Sequence, residues 1–193
     1  MADDIAALVS HLNLKKVDIL GYSLGGGVAI QTAIRHPAII DRLVVVGAPM
    51  KRSAFFPEVL AAFEQMPANA PAIAQRVKSS PLGTTYPKAN WEAIFRKIGE
   101  LQSRDYDWSS GIASITSPTM IVFDDADSIR LEHIAEFYRL LGGGQRDAGL
   151  DGVQRSHAQL AIVPGTTHYN LLSTTAVAEL VRGFLDGPAS ATQ

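Results

Sequence analysis

Cysteine is absent from the chain, which excludes disulfides, thiolate zinc sites and a cysteine nucleophile, and leaves compartment unmarked by redox chemistry. Long apolar runs are absent as well. No stretch approaches the roughly 20 residues that a bilayer-spanning helix needs, so no membrane partner is expected. Charge of one sign is nowhere concentrated: 17 Lys and Arg stand against 19 Asp and Glu, a formal net charge of −2. Neither a nucleic-acid groove nor a polybasic membrane patch is indicated by that balance. The opening Met1-Ala2-Asp3-Asp4 lacks the basic start and apolar run of a signal peptide, and the expected location is cytoplasmic. What is present is a chain of 193 residues, 47% of them apolar, enough for one domain with a core and a small-molecule ligand.

Strand and helix signals alternate. Ile5, Leu8, Val9 and Leu12 recur at helical spacing, so Asp3 to Leu12 reads as a helix with one buried face. Lys16 to Leu20 is a short strand ending at Gly21, and Leu24 to Arg35 is a helix rich in small and apolar residues that stops at His36-Pro37. The continuous run Leu43-Val44-Val45-Val46-Gly47 suits a strand buried on both faces of a parallel sheet. Thr119 to Phe123 reads the same way, Gln159 to Val163 more weakly, and helices Ile129 to Leu141 and Thr175 to Leu185 follow them. Repeated β-α units predict an α/β fold with a parallel sheet and flanking helices.

Between Val46 and Met120 no strand signal occurs, and Pro57, Pro67, Pro71, Pro81 and Pro87 interrupt the stretch. Trp91, Ile94, Phe95 and Ile98 share one helical face, and Val59, Leu60, Phe63 and Met66 another. A helical insertion is predicted, which could act as a cap and offer substrate an apolar wall. The expected organisation is therefore residues 1–50 and 112–193 as two parts of one core, with residues 51–111 as the cap. Gly142-Gly143-Gly144 through His157 is glycine-rich and polar and reads as a long mobile hairpin without chemistry.

The chemistry begins at Gly21-Tyr22-Ser23-Leu24-Gly25. A strand directly precedes this G-x-S-x-G match and a helix directly follows it, the context of a nucleophile elbow that lifts Ser23 above the sheet on a strained turn. Gly21 and Gly25 are expected where side chains would collide, with Gly26 and Gly27 extending the crowding. A phosphate-binding turn is the alternative, but the spacing matches neither G-x-G-x-x-G nor G-x-x-x-x-G-K-[ST]. A serine nucleophile needs a base, and the base needs an acid to hold its tautomer. Asp124-Asp125-Ala126-Asp127-Ser128 follows one later strand and Pro164-Gly165-Thr166-Thr167-His168 the next, in the chain order Ser, Asp, His. His11 and His133 lie within helices, His36 precedes a proline and His157 sits in the polar segment, all with structural roles.

Through Gly21 to Gly26, Pro118 to Asp127 and Pro164 to His168, the chain resembles the α/β-hydrolase superfamily, close to its bacterial esterases and non-haem haloperoxidase-like hydrolases. Relatives usually carry Gly-Asp-x-Asp after the sixth strand, the second aspartate being the triad acid. Here Asp124 occupies the glycine position, and the resemblance assigns the acid role to Asp127, with Asp125 as the fallback whose other role is to stabilise the loop. The implied activity is hydrolysis of a small carboxylic ester through an acyl-enzyme on Ser23, with His168 as base, Asp127 as its partner and the backbone N–H of Leu24 as an oxyanion donor. No cofactor is implied. No metal is needed, and no His and carboxylate cluster has ligand spacing along the chain.

The pattern departs from the family in one respect. Relatives place the elbow after the fifth strand and draw a second oxyanion donor from a loop after the third, often bearing His-Gly. Neither is present in this chain, so it is expected to lack the first four strands and to expose an unpaired edge on the Val17 to Leu20 strand. Such an edge seeks another strand, and a homo-oligomer through it is the expected assembly. Two functions follow: an esterase weakened by the missing oxyanion loop, or a catalytically inactive, truncated module retained for assembly. Ser23 at the elbow argues against the aspartate nucleophile of epoxide hydrolases and dehalogenases.

Overall fold

A computed structural model describes residues 1–187. Its elements are α1 (Ala2–His11), β1 (Val17–Tyr22), α2 (Leu24–Arg35), β2 (Ile40–Val46), α3 (Pro57–Lys78), α4 (Pro81–Thr85), α5 (Trp91–Gln102), α6 (Ser109–Ile112), β3 (Thr119–Ala126), α7 (Leu131–Leu140), β4 (Ala158–Thr167) and α8 (Ala176–Leu185). The chain divides into two compact units, one of residues 1–54 and 107 onward, the other of residues 55–106.

The first unit is built on a four-stranded, all-parallel sheet in the order β1-β2-β3-β4, with helices between the strands. Its centre lies at β2 and β3, where Leu43, Val44, Val45, Val46, Ile121, Val122 and Phe123 are all buried. Side chains alternate between the faces of a strand. Val44, Val46, Met120 and Val122 accordingly join Val177, Val181 and Phe184 of α8 in one cluster, while a Cβ on Gly26 of α2 would lie 3.5 Å from Val45 Cγ1. The α8 terminus is held by Arg42, whose guanidinium donates to the carbonyls of Phe184 (3.3 Å) and Gly187 (2.8 Å). A cation there also opposes the partial negative charge of the helix end.

β1 is an edge strand among the described residues, and Leu20 is half exposed on it. β4 is the other edge. It runs past Val163, where the sequence pattern stops, through Pro164 and Gly165 to Thr167. An edge strand tolerates a proline because one side makes no ladder. The pairing with β3 is irregular between Asp124 and Ala126, and there the Asp125 carboxylate accepts from the backbone N–H groups of Gly165 (3.0 Å) and Thr166 (3.2 Å), standing in for ladder bonds. The glycine-rich stretch 142–157 is no hairpin: it contains turns and no strand, and it links α7 to a parallel β4.

The second unit, residues 55–106, is helical. α3 runs for 22 residues straight through Pro67 and Pro71, which the sequence reading takes as interruptions. Each proline removes one intrahelical bond, and α3 packs along α5. Gly99 of α5 makes the approach possible, since a Cβ there would meet Pro67 Cδ at 2.6 Å and Met66 Cβ at 2.9 Å.

Candidate active site

Ser23 sits between β1 and α2 with φ 54° and ψ −121°, a left-handed conformation that a non-glycine residue adopts only under constraint. The constraint is visible in the backbone: Ser23 N–H donates to Val46 O (2.9 Å) and Gly27 N–H to Ser23 O (3.2 Å). It also needs close approach of strand and helix. A Cβ on Gly21 would lie 2.1 Å from Gly25 O, and one on Gly26 would lie 2.4 Å from Ala48 Cβ. The crowding falls on those two glycines alone. Gly25 faces open space and Gly27 has ordinary contacts with Trp108 at 3.5 Å, contrary to the sequence expectation for both.

His168 follows β4 and reaches back across the sheet end, its Nε2 3.0 Å from Ser23 Oγ. Two groups hold it. The Tyr22 hydroxyl donates to His168 O, and the Tyr22 ring stacks on the imidazole with centroids 5.2 Å apart. Gly47, at φ 56°, lies beneath the ring: a Cβ there would stand 3.1 Å from His168 Nδ1. Asp127 follows β3. Its Oδ1 accepts from Ser128 Oγ (3.1 Å) and Ile129 N–H (3.2 Å) and lies 3.7 Å from His168 Nδ1, within ion-pair range and too long for a hydrogen bond. The structure thus brings Ser23, His168 and Asp127 together. Asp125 is turned to Gly165 and Thr166 instead, the loop-stabilising role. Leu24 opens α2, where helix N–H groups have no intrahelical acceptor and are free to meet an anion.

A fourth side chain completes the group. Asp124, at the end of the buried run of β3, is 2% exposed, and neither of its oxygens has a hydrogen-bond donor. Burial pushes its carboxyl up to about 7, the nearby Asp127 charge adds to the rise, and His168 opposes it. For Asp127 burial acts upward too, but His168, Asp124 and Ser128 outweigh it and hold the carboxyl below its ordinary value. Although no ligand spacing is visible along the chain, the fold places one polar atom each of Asp124, Asp127 and His168 within 4.8 Å of one another. With His168 Nε2 already 3.0 Å from Ser23 Oγ, the two carboxylates, the imidazole and the serine hydroxyl lie in one group. Tyr22, Gly47 and Asp124 are the residues that sequence reasoning gave no role in the site; the one signal for them was an aspartate where the family has glycine.

His133, within α7, accepts from Met50 N–H through Nε2 (3.2 Å) and lies away from this group. Its burial lowers its pKa to about 4. It braces the loop after β2.

Residues 1–96 match the family model of the alpha/beta hydrolase fold. Among curated proteins, a provisionally named carbamate hydrolase, RutD, of Agrobacterium fabrum is 48% identical over 48 residues, 25% of this chain and 18% of that protein. A provisionally named esterase/lipase of Haemophilus influenzae is 38% identical over 56 residues, 28% of this chain and 20% of its own. The matches therefore span about a fifth or less of those relatives' lengths. Among solved structures, a carboxylesterase of Nitrososphaera gargenis superposes with a TM-score of 0.72 at 17% identity, covering 96% of this chain and 70% of that one. The enol-lactonase of Burkholderia xenovorans gives 0.65 at 16% identity, covering 96% and 72%. No helix among the described residues is long and apolar enough to cross a membrane. With its parallel sheet, its serine-bearing elbow and the match over residues 1–96, the chain belongs to the α/β-hydrolase superfamily.

Proposed function

We propose that the chain is a serine hydrolase acting on small carboxylic esters through an acyl-enzyme on Ser23. The observation that carries this reading is the 3.0 Å approach of His168 Nε2 to a Ser23 Oγ held at φ 54°. Ser23 Oγ attacks the ester carbonyl while His168 Nε2 takes its proton. The tetrahedral intermediate collapses as His168 returns that proton to the leaving alcohol, and water repeats the cycle on the acyl-enzyme. Asp127 supports the imidazolium in both steps, and closing its 3.7 Å gap belongs to the substrate complex, since apo catalytic contacts are often long. In this reading the Leu24 N–H, at the start of α2, donates to the developing oxyanion.

The names of the curated relatives widen the acyl class to be examined, because carbamates and esters share the carbonyl that Ser23 would attack. The test is hydrolysis of p-nitrophenyl acetate, butyrate and octanoate, and of a p-nitrophenyl carbamate, by the chain and by Ser23→Ala. Ester hydrolysis that disappears in the variant, with Ser23 labelled by a fluorophosphonate, is the expected result. Equal background rates from folded samples of both, with Ser23 unlabelled, would refute it.

A further inference from the structure

The acid side of this site holds two carboxylates where one suffices. Asp124 and Asp127 are both almost fully enclosed: Asp124 is 2% exposed and the Asp127 side chain 1%. Three of their four oxygens, Asp124 Oδ1 and Oδ2 and Asp127 Oδ2, have no donor. An unpaired buried carboxylate is costly, and two side by side are more so. One proton placed between them removes a charge and satisfies an oxygen on each.

We propose that Asp124 is a positioning residue that stays protonated and donates its carboxyl hydrogen to Asp127 Oδ2, so that Asp127, tied at Oδ1 by Ser128 and Ile129 and at Oδ2 by Asp124, is aimed at His168. This rests on the serine-hydrolase reading. No other protein donor reaches Asp127 Oδ2 among the described residues.

The groups facing Asp124 are few. From β1 comes Tyr22, whose phenol is raised by burial and by the charges of Asp124 and Asp127. From the loop after β3 comes Asp127, and from the end of β4 comes His168. Its β4 register partner is the apolar Val163, and Asp125 turns to Gly165 and Thr166. No lysine or arginine is among the main influences on it within the described residues. Loss of the proton to solvent leaves two adjacent charges with no donor between them, and their repulsion turns Asp127 away from His168. The rate therefore falls as Asp124 ionises.

The experiment combines a carboxyl titration with activity. In the protein labelled with [¹³C]aspartate, one buried carboxyl is expected to titrate near neutrality and to vanish in Asp124→Asn. Asp124 ionising in the ordinary aspartate range overturns the proposal, whether or not the protein hydrolyses any ester. In ester hydrolysis, the wild type is expected to lose kcat at the pH where that carboxyl titrates. Asp124→Asn keeps an N–H donor to Asp127 and is expected to hold kcat flat through the same range. Asp124→Gly, which has no donor, is expected to run about ten- to a hundredfold slower than the wild type below the pH where that carboxyl titrates, and to lack the wild-type step. An Asp124→Asn profile that keeps the wild-type step, or a Gly variant as fast as the wild type below that pH, also overturns it. Absence of ester hydrolysis at every pH counts against the serine-hydrolase reading alone, and the carboxyl titration still decides this one.

Discussion

Gly47 lies directly beneath the imidazole of His168, so close that a Cβ at position 47 would stand 3.1 Å from Nδ1 and 3.2 Å from Cε1. Gly47 also has φ 56°, so alanine there meets both backbone strain and the histidine. Gly47→Ala is expected to lose about 1–3 kcal/mol of stability and to lower kcat roughly tenfold or more by displacing the base. Chemical denaturation and ester hydrolysis read the two effects separately. A variant with wild-type values of both would show that the ring moves aside without consequence.

The two candidate acids separate by substitution. Asp127→Asn is expected to lower kcat by about ten-thousandfold, because the amide favours the wrong histidine tautomer. Asp125→Ala removes the acceptor for Gly165 and Thr166 N–H, and is expected to cost about 0.5–1.5 kcal/mol of stability while the folded fraction keeps its kcat. Exchanged outcomes would move the acid role to Asp125.

His133 gives stability a pH dependence of definite sign. Its folded pKa of about 4 lies below the ordinary histidine value of 6.5, so between those values the unfolded chain binds the extra proton. Its contribution is complete above pH 6.5 and is lost as pH falls towards 4, by on the order of 3 kcal/mol. Asp124 acts oppositely, since its carboxyl is raised from 3.8 to about 7 and favours the folded state at the acid end. The measurement is therefore the difference between wild type and His133→Gln in urea denaturation across pH 4 to 7. A difference that does not shrink towards pH 4 would place His133 outside this balance.

Arg42 tests the closure of α8 on the sheet. Arg42→Met keeps the aliphatic stem and removes the donors to Phe184 O and Gly187 O. A loss of about 1–3 kcal/mol is expected, with kcat of the folded fraction unchanged. Early amide exchange confined to residues 181–187 would locate the effect. Unchanged protection there would mean that apolar packing alone holds the helix.

The parallel sheet and most of its helices were legible because their signals are local. The Leu43 to Val46 run needs burial on both faces, and α2 begins and ends where the glycines and His36-Pro37 say it should. Ser23 drew notice for a local reason too, a glycine-flanked serine between a strand and a helix, and His168 as the histidine in the loop after a later strand. What was missed depends on neighbours distant in sequence. Pro164 reads as a stop until β4 is known to be an edge and Asp125 to hold the backbone beyond it. Pro67 and Pro71 read as breaks until α5 supplies a glycine at the contact. The meeting of Asp124 with Asp127 depends on the irregular pairing between Asp124 and Ala126, which no alternation of apolar residues announces.

Tyr22 precedes Ser23 by one residue, yet its hydroxyl and ring are given to His168, 146 positions further on. The variable position inside the serine motif is thereby coupled to the histidine loop. Substitutions at position 22 and in residues 164–169 should show strong epistasis: a change harmless on its own in one segment becomes harmful beside a change in the other. In a mutational library, the two segments should be inherited together.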